Sequence, residues 1–141
     1  MAQLAAPGQA PARDLAAQLE ACYQPARQAF ARLCPELCPT CPKVCCLRVS
    51  PHGLIDQMDL IYYAALDLRG LPYPRPRERG CPFLETQGCA LPWRARPFAC
   101  LHYICPLLRK ALPPAELAVL ELALEQAGAL RSALFKAFLD Q

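Results

Sequence analysis

The sequence predicts a mainly α fold, a small helical domain around an irregular, cysteine-rich centre, with one short β-hairpin. Apolar residues recur at three- and four-residue steps towards both ends of the chain. Nine of the ten cysteines fall in residues 34–105. Prolines punctuate that middle and break any regular element through it. A chain of 141 residues has room for one domain, and an apolar fraction of 55% with mean hydropathy +0.14 can fill a core. The expected organisation is a lead-in over residues 1–13 and a single domain over 14–141. Within it, a helix covers 14–33, the cysteine core 34–105, and a C-terminal helix 114–139.

The first segment, MAQLAAPGQAPARD, lacks a basic start followed by a hydrophobic block, so it does not read as a signal peptide. From residue 14 onwards, Leu15, Leu19, Cys22 or Tyr23, Ala26, Phe30 and Leu33 mark one helical face, and Pro25 is expected to kink or split it. CPELCPTCPKVCC then places proline after three of its five cysteines, which argues against regular helix or central strand. It reads as a knuckle, each proline restricting the cysteine before it. Residues 56–69 predict a second helix, with Leu60, Ile61, Ala64 and Leu68 inward and Gly70 as the stop. After the loop LPYPRPRERG, CPFLETQGCALPW offers Phe83-Leu84 and Ala90-Leu91 about a turn at Gln87-Gly88, a small hairpin. Pro113-Pro114 opens the last helix, whose stripe is Leu117, Leu120, Leu124, Ala127, Leu134 and Phe138. Arg131 interrupts that register and Leu130 is expected to take its place. The helix should pack on the first one.

The cysteines carry the chemistry. Cys34, Cys38, Cys41, Cys45 and Cys46 are spaced C-x3-C-x2-C-x3-C-C, and Cys81, Cys89, Cys100 and Cys105 follow beyond the second helix. With no export signal the expected compartment is the cytoplasm, where thiols stay reduced, so metal ligation is favoured over disulfides. A bridge between adjacent Cys45 and Cys46 would also be strained. Thiolates a few residues apart converge on one ion while ordering little chain. Four-sulfur sites suit zinc, with Zn–S distances of about 2.3 Å, or an iron–sulfur cluster. Eight thiolates would fill two zinc sites, whereas one cubane uses four. Scarce histidine and recurring Cys-Pro favour the cluster, and the doublet favours a compact multi-ligand centre. The isolated Cys22 reads as a small buried hydrophobe.

The run CPTCPKVCC, then CPFLETQGCALPW, then RPFACLHY resembles the YkgJ-like cysteine-cluster family, described as a zinc- or iron-chelating domain. The matching positions are Cys38, Cys41, Cys45, Cys46, Cys81, Phe83, Leu84, Gly88, Cys89, Arg96, Pro97 and Cys100, over about half the chain. The gap from Cys41 to Cys45 is three residues where two is common in the family, and Cys34 and Cys105 are additions to its pattern. The resemblance implies chelation, not a particular cellular role. Flagellin lysine N-methylases share such a cluster on a much longer chain, so no methyltransferase activity is implied.

Other signals are weaker. Cys34-x3-Cys38-x2-Cys41 has the spacing of radical S-adenosylmethionine enzymes, but the strand–helix alternation of their barrel is missing. His52 and His102 read as supporting or loop residues rather than ligands. Arg69, Arg75, Arg77, Arg79, Arg94 and Arg96 lie between the cysteine groups, and Arg96 is the candidate to donate to sulfur and offset its charge. A net charge of +3 with few aromatics near the arginines argues against nucleic acid as a partner. No apolar run is long enough for a membrane span, and no catalytic ordering of residues is visible. The expected function is therefore metal binding without turnover. Its alternatives are an iron–sulfur electron-transfer or enzyme component and a zinc-stapled adaptor for protein or nucleic acid.

Overall fold

The structure, a computed structural model, describes residues 10–41, 45–47, 53–76, 78–85 and 88–140. Five helices carry it among these residues: α1 (Ala10–Leu37), α2 (Gln57–Ala65), α3 (Phe98–Leu101), α4 (Pro106–Ala111) and α5 (Pro114–Leu139). Strands β1 (Leu84–Glu85) and β2 (Gly88–Cys89) pair antiparallel as one hairpin, with Leu84 opposite Cys89 and Glu85 opposite Gly88. The mainly helical fold with a single hairpin is the one the sequence predicts. None of the helices among the described residues is long and apolar enough to cross a membrane.

Two long helices make the frame. On α1, Ala12, Ala16, Leu19, Tyr23, Ala26 and Phe30 are buried at alternating steps of three and four. On α5, Leu120, Leu124, Ala127, Arg131 and Leu134 do the same, and the two faces lie against each other as the most extensive packing in the molecule. Helix α1 is longer than the sequence predicts at both ends. It begins at Ala10, within the expected lead-in, with Pro11 in the first turn where a missing N–H costs nothing. It passes Pro25 without splitting, because Tyr23, Ala26 and Phe30 on either side are buried and their packing outweighs the local cost of proline. It then continues through Cys34 and Pro35 to Leu37, so the first part of the expected knuckle is helix.

Helix α2 differs more. Asp56 caps it by accepting from the Asp59 N–H at 2.8 Å, and the Asp59 carboxylate accepts from the Asp56 N–H at 3.0 Å. It ends at Ala65, four residues short of the predicted Arg69, because Asp67 adopts φ 54° and turns the chain with its N–H on the Ala64 carbonyl. Its buried face is Asp59, Ile61, Tyr62 and Tyr63, whereas Leu60, expected inward, is half exposed. Asp59 explains the change of face. Buried on α2, it accepts from Arg131 Nη1 at 2.7 Å, while Arg131 Nη2 reaches the Asp56 carboxylate. Arg131 is itself buried, so it belongs to the α5 stripe it was expected to interrupt, and Leu130 does not replace it.

The hairpin lies inside the predicted pieces, by one residue in the first strand and by two in the second. Its ladder is extended by the Ala90 N–H on the Phe83 carbonyl at 2.8 Å, and Gly88 belongs to the strand with φ 116°. The Gln87 half of the predicted turn lies outside the described residues.

Candidate metal centre

Among the described residues no disulfide joins any of the ten cysteines. Cys34 rides the last turn of α1, and Cys38 stands one helical turn further on, opening a 3-10 turn over Cys38–Thr40. The Cys41 N–H donates to the Cys38 carbonyl at 3.2 Å and folds the chain back beside it. Cys45 and Cys46 occupy a second 3-10 turn, Cys45–Leu47. Cys105 is the N-cap of α4, which packs on α1.

The later cysteines are brought to the doublet by backbone contacts. The Cys81 N–H donates to the Cys46 carbonyl at 2.6 Å. Gly80 permits that approach. It adopts φ 83°, and a Cβ there would stand 3.1 Å from the Cys46 carbonyl oxygen. The turn from Cys81 to Leu84, closed by the Leu84 N–H at 3.2 Å, and the Leu84–Cys89 pair then set Cys81 and Cys89 at the same end of the hairpin. Cys81 is buried, and its sulfur accepts from the Phe83 N–H at 3.4 Å. Cys100 sits in α3, held by its N–H on the Pro97 carbonyl at 2.9 Å.

Burial and mutual repulsion raise several of these thiols. Burial, then the neighbouring Cys38, pushes Cys34 up to about 12, with Cys105 adding to the effect. Burial raises Cys45, with Cys105, Cys41 and Cys38 as its charged neighbours. Cys46 is raised to about 11 by burial and then by Cys81, Cys89, Cys38 and Cys45. Cys100 opens to the surface, yet the protein around it desolvates the thiol; that burial, then Cys81, Cys46 and Cys89, raises it to about 12. The thiols that raise one another thus come from both stretches of chain. Cys22, buried in part against the core and raised by burial alone, stands apart from them.

Arg96 lies between the groups. Its guanidinium lies over the Trp93 ring at 3.4 Å from the centroid, and Nε donates to the Leu91 carbonyl at 3.3 Å. Its charge opposes the rise of both Cys34 and Cys100. Three of the other arginines are engaged elsewhere: Arg69 with Asp67, Arg75 with Glu85, and Arg94 with Glu20. His102 is exposed and stacks on Phe98, with Nδ1 3.0 Å from the Phe98 carbonyl; because that oxygen can only accept, Nδ1 is the donor. His52 and Arg77 fall outside the described residues.

Among the described residues, no three Cys, His, Asp or Glu side chains are already drawn into a coordinating group. The donor set nevertheless fits a thiophilic metal: sulfur in excess, histidine turned to a carbonyl, and one guanidinium beside thiols of both stretches. The sequence did not reveal the Arg131–Asp59 pair behind this region. An arginine inside an apolar stripe and the Asp56-x2-Asp59 capping pattern were its available signals. Comparison of the chain with protein-family models, curated proteins and solved structures finds no match.

Proposed function

We propose that this protein is a metal-binding cysteine-cluster protein of the YkgJ-like kind, holding zinc or an iron–sulfur cluster. Cys34, Cys38, Cys41, Cys45, Cys46, Cys81, Cys89, Cys100 and Cys105 are its candidate ligands. The observation that carries the reading is the return of the later stretch to the doublet, where the Cys81 N–H meets the Cys46 carbonyl at 2.6 Å and the Leu84–Cys89 pair brings Cys89 to the same end of the hairpin. Thiols raised to about 11 or 12 are neutral at physiological pH, and a bound cation would supply the charge that makes them thiolates. A four-thiolate zinc or cubane site carries net negative charge, which places Arg96 as the compensating cation. The metal's part is structural or one of storage, delivery or sensing, with no turnover.

The test is purification without oxygen, followed by metal and sulfide analysis and an absorption spectrum. Stoichiometric zinc in colourless protein identifies zinc sites. Brown protein with iron and acid-labile sulfide identifies a cluster. Cys81→Ser should lower metal content, and Cys22→Ser should leave it unchanged. A reduced, metal-free protein that folds normally in a chelator would overturn the proposal.

A further inference from the structure

We propose that this protein forms a reversible homodimer in which α5 of one copy lies antiparallel against α5 of the other, along the face turned away from α1. The inward row of α5 is buried against the rest of the chain. On the opposite side Leu122, Glu125, Ala129, Ser132, Lys136 and Leu139 are all exposed, Leu122 at 57% and Leu139 at 62%. They recur at alternating steps of three and four, the spacing of a seam between two helices. A surface helix that packs on a core on one side turns a charged face to solvent on the other. This one turns out a row with leucine at both ends, small residues at its centre, and one acid and one base between them.

The charges choose the occupant. Helix α5 carries five charged residues. Glu116 pairs with Arg32, Glu121 with Arg109, and Arg131 with Asp56 and Asp59. The two that remain, Glu125 and Lys136, have no ion-pair partner among the described residues, and both stand on the outward row. A second copy, turned end for end about a two-fold axis passing between residues 130 and 131, answers them. Glu125 then faces the partner's Lys136, Leu122 the partner's Leu139, and Ala129 the partner's Ser132, each pairing occurring twice. One register satisfies all three. Ala129 and Ser132 at the crossing let the two backbones approach closely. A parallel arrangement would set acid against acid and base against base, so like charges exclude it. At 1.5 Å per residue the row from Leu122 to Leu139 spans about 25 Å. One helix face of that length buries less than the roughly 1,200 Å² at which stable interfaces begin, so monomer and dimer exchange.

The experiment is sedimentation equilibrium of the full chain, purified without oxygen and kept reduced so that no disulfide joins two copies. From micromolar to millimolar concentration its mass should rise from 15.5 kDa towards twice that value. Glu125→Lys and Lys136→Glu should each weaken association at least about tenfold, because each sets like charges against one another twice. Mixed together, the two variants should form a heterodimer, since each meets in the other the charge it lacks. The double variant should associate like the unmodified chain. An unmodified chain that stays monomeric throughout overturns the proposal and leaves the face to a different protein. A dimer that neither single variant weakens puts the interface elsewhere, and weakened variants whose mixture does not recover overturn the antiparallel register. Should either variant lose helicity by circular dichroism, isotope-filtered magnetic resonance on mixed labelled and unlabelled unmodified chains decides. Methyl contacts between Leu122 of one copy and Leu139 of the other support the dimer, and their absence overturns it.

Discussion

The helical frame and the cysteine middle are built on opposite terms. In the frame, α1 and α5 bury matching rows of Ala, Leu, Tyr and Phe, and a buried arginine is answered by two carboxylates. Arg27 likewise donates through Nη2 to the Tyr62 hydroxyl and the Arg94 carbonyl, while its Nε and Nη1 and the Tyr23 hydroxyl have no hydrogen-bond partner among the described residues. Around the cysteines of the middle, the elements are two-residue strands and single turns, and the thiols there raise one another's pKa. The frame is finished by the chain alone, whereas the middle gathers donors that repel one another once ionised. The contrast teaches that apolar periodicity completes a fold where side chains pack on each other, whereas a surplus of one kind of donor is left for the metal-binding proposal to explain.

The sharpest way to break this contrast is to strip the metal. Structural thiolate sites contribute on the order of 10 kcal/mol to folding. On the proposed reading, a chelator should therefore abolish hydrogen-exchange protection at the amides of Cys81, Leu84, Ala90 and Cys100 while leaving α1 and α5 protected. Equal loss across all of them would show that frame and middle are one cooperative unit. Next in size is Asp59→Ala, which takes from the buried Arg131 its buried partner and removes half of a capping box. A cost of about 3–5 kcal/mol is expected in denaturant unfolding, with metal stoichiometry unchanged.

A smaller effect, of opposite sign in the two forms of the protein, is expected from pH. In the metal-free chain, Cys34 and Cys100 are raised from 9.0 to about 12. Below pH 9 they are neutral whether folded or not, and their contribution is intact. Between 9 and 12 the unfolded chain ionises first, so the folded state loses stability as pH rises. The metal-bound form needs thiolates and should instead lose metal and stability as pH falls. Thermal unfolding across pH, with and without metal, would read the crossing of the two trends. The smallest change sharpens the frame alone. Gly128 lies within α5, and a Cβ there meets nothing within 4 Å, so Gly128→Ala should stabilise the protein by about 1 kcal/mol without touching metal content.

The frame was the more legible region in the sequence. The bounds of α5 follow from Pro114 and the periodic leucines, and its packing on α1 follows from the matching stripe. Local rules failed where distant partners decided the outcome. Pro25 and Pro35 were read as breakers, but the helix face they interrupt is held by α5. Arg131 was read as an interruption because its answering carboxylates lie more than seventy residues away. Asp67 ended α2 early by adopting a backbone conformation that pattern does not announce in a non-glycine residue. In the middle, the sequence named the nine cysteines but not how they associate. Short spacing groups residues by chain order, whereas the Cys46–Cys81 backbone contact and the position of Cys105 depend on how the loops return.

Cys34 draws a last consequence from the length of α1. Because that helix runs unbroken to Leu37, the first of the nine sulfurs inherits its position from a rod secured along α5, not from the loops around it. If the proposed metal binding holds, a chain starved of metal would still own one fixed mooring, and loading would have a direction, from the rigid end of the rod outward to the hairpin and α3.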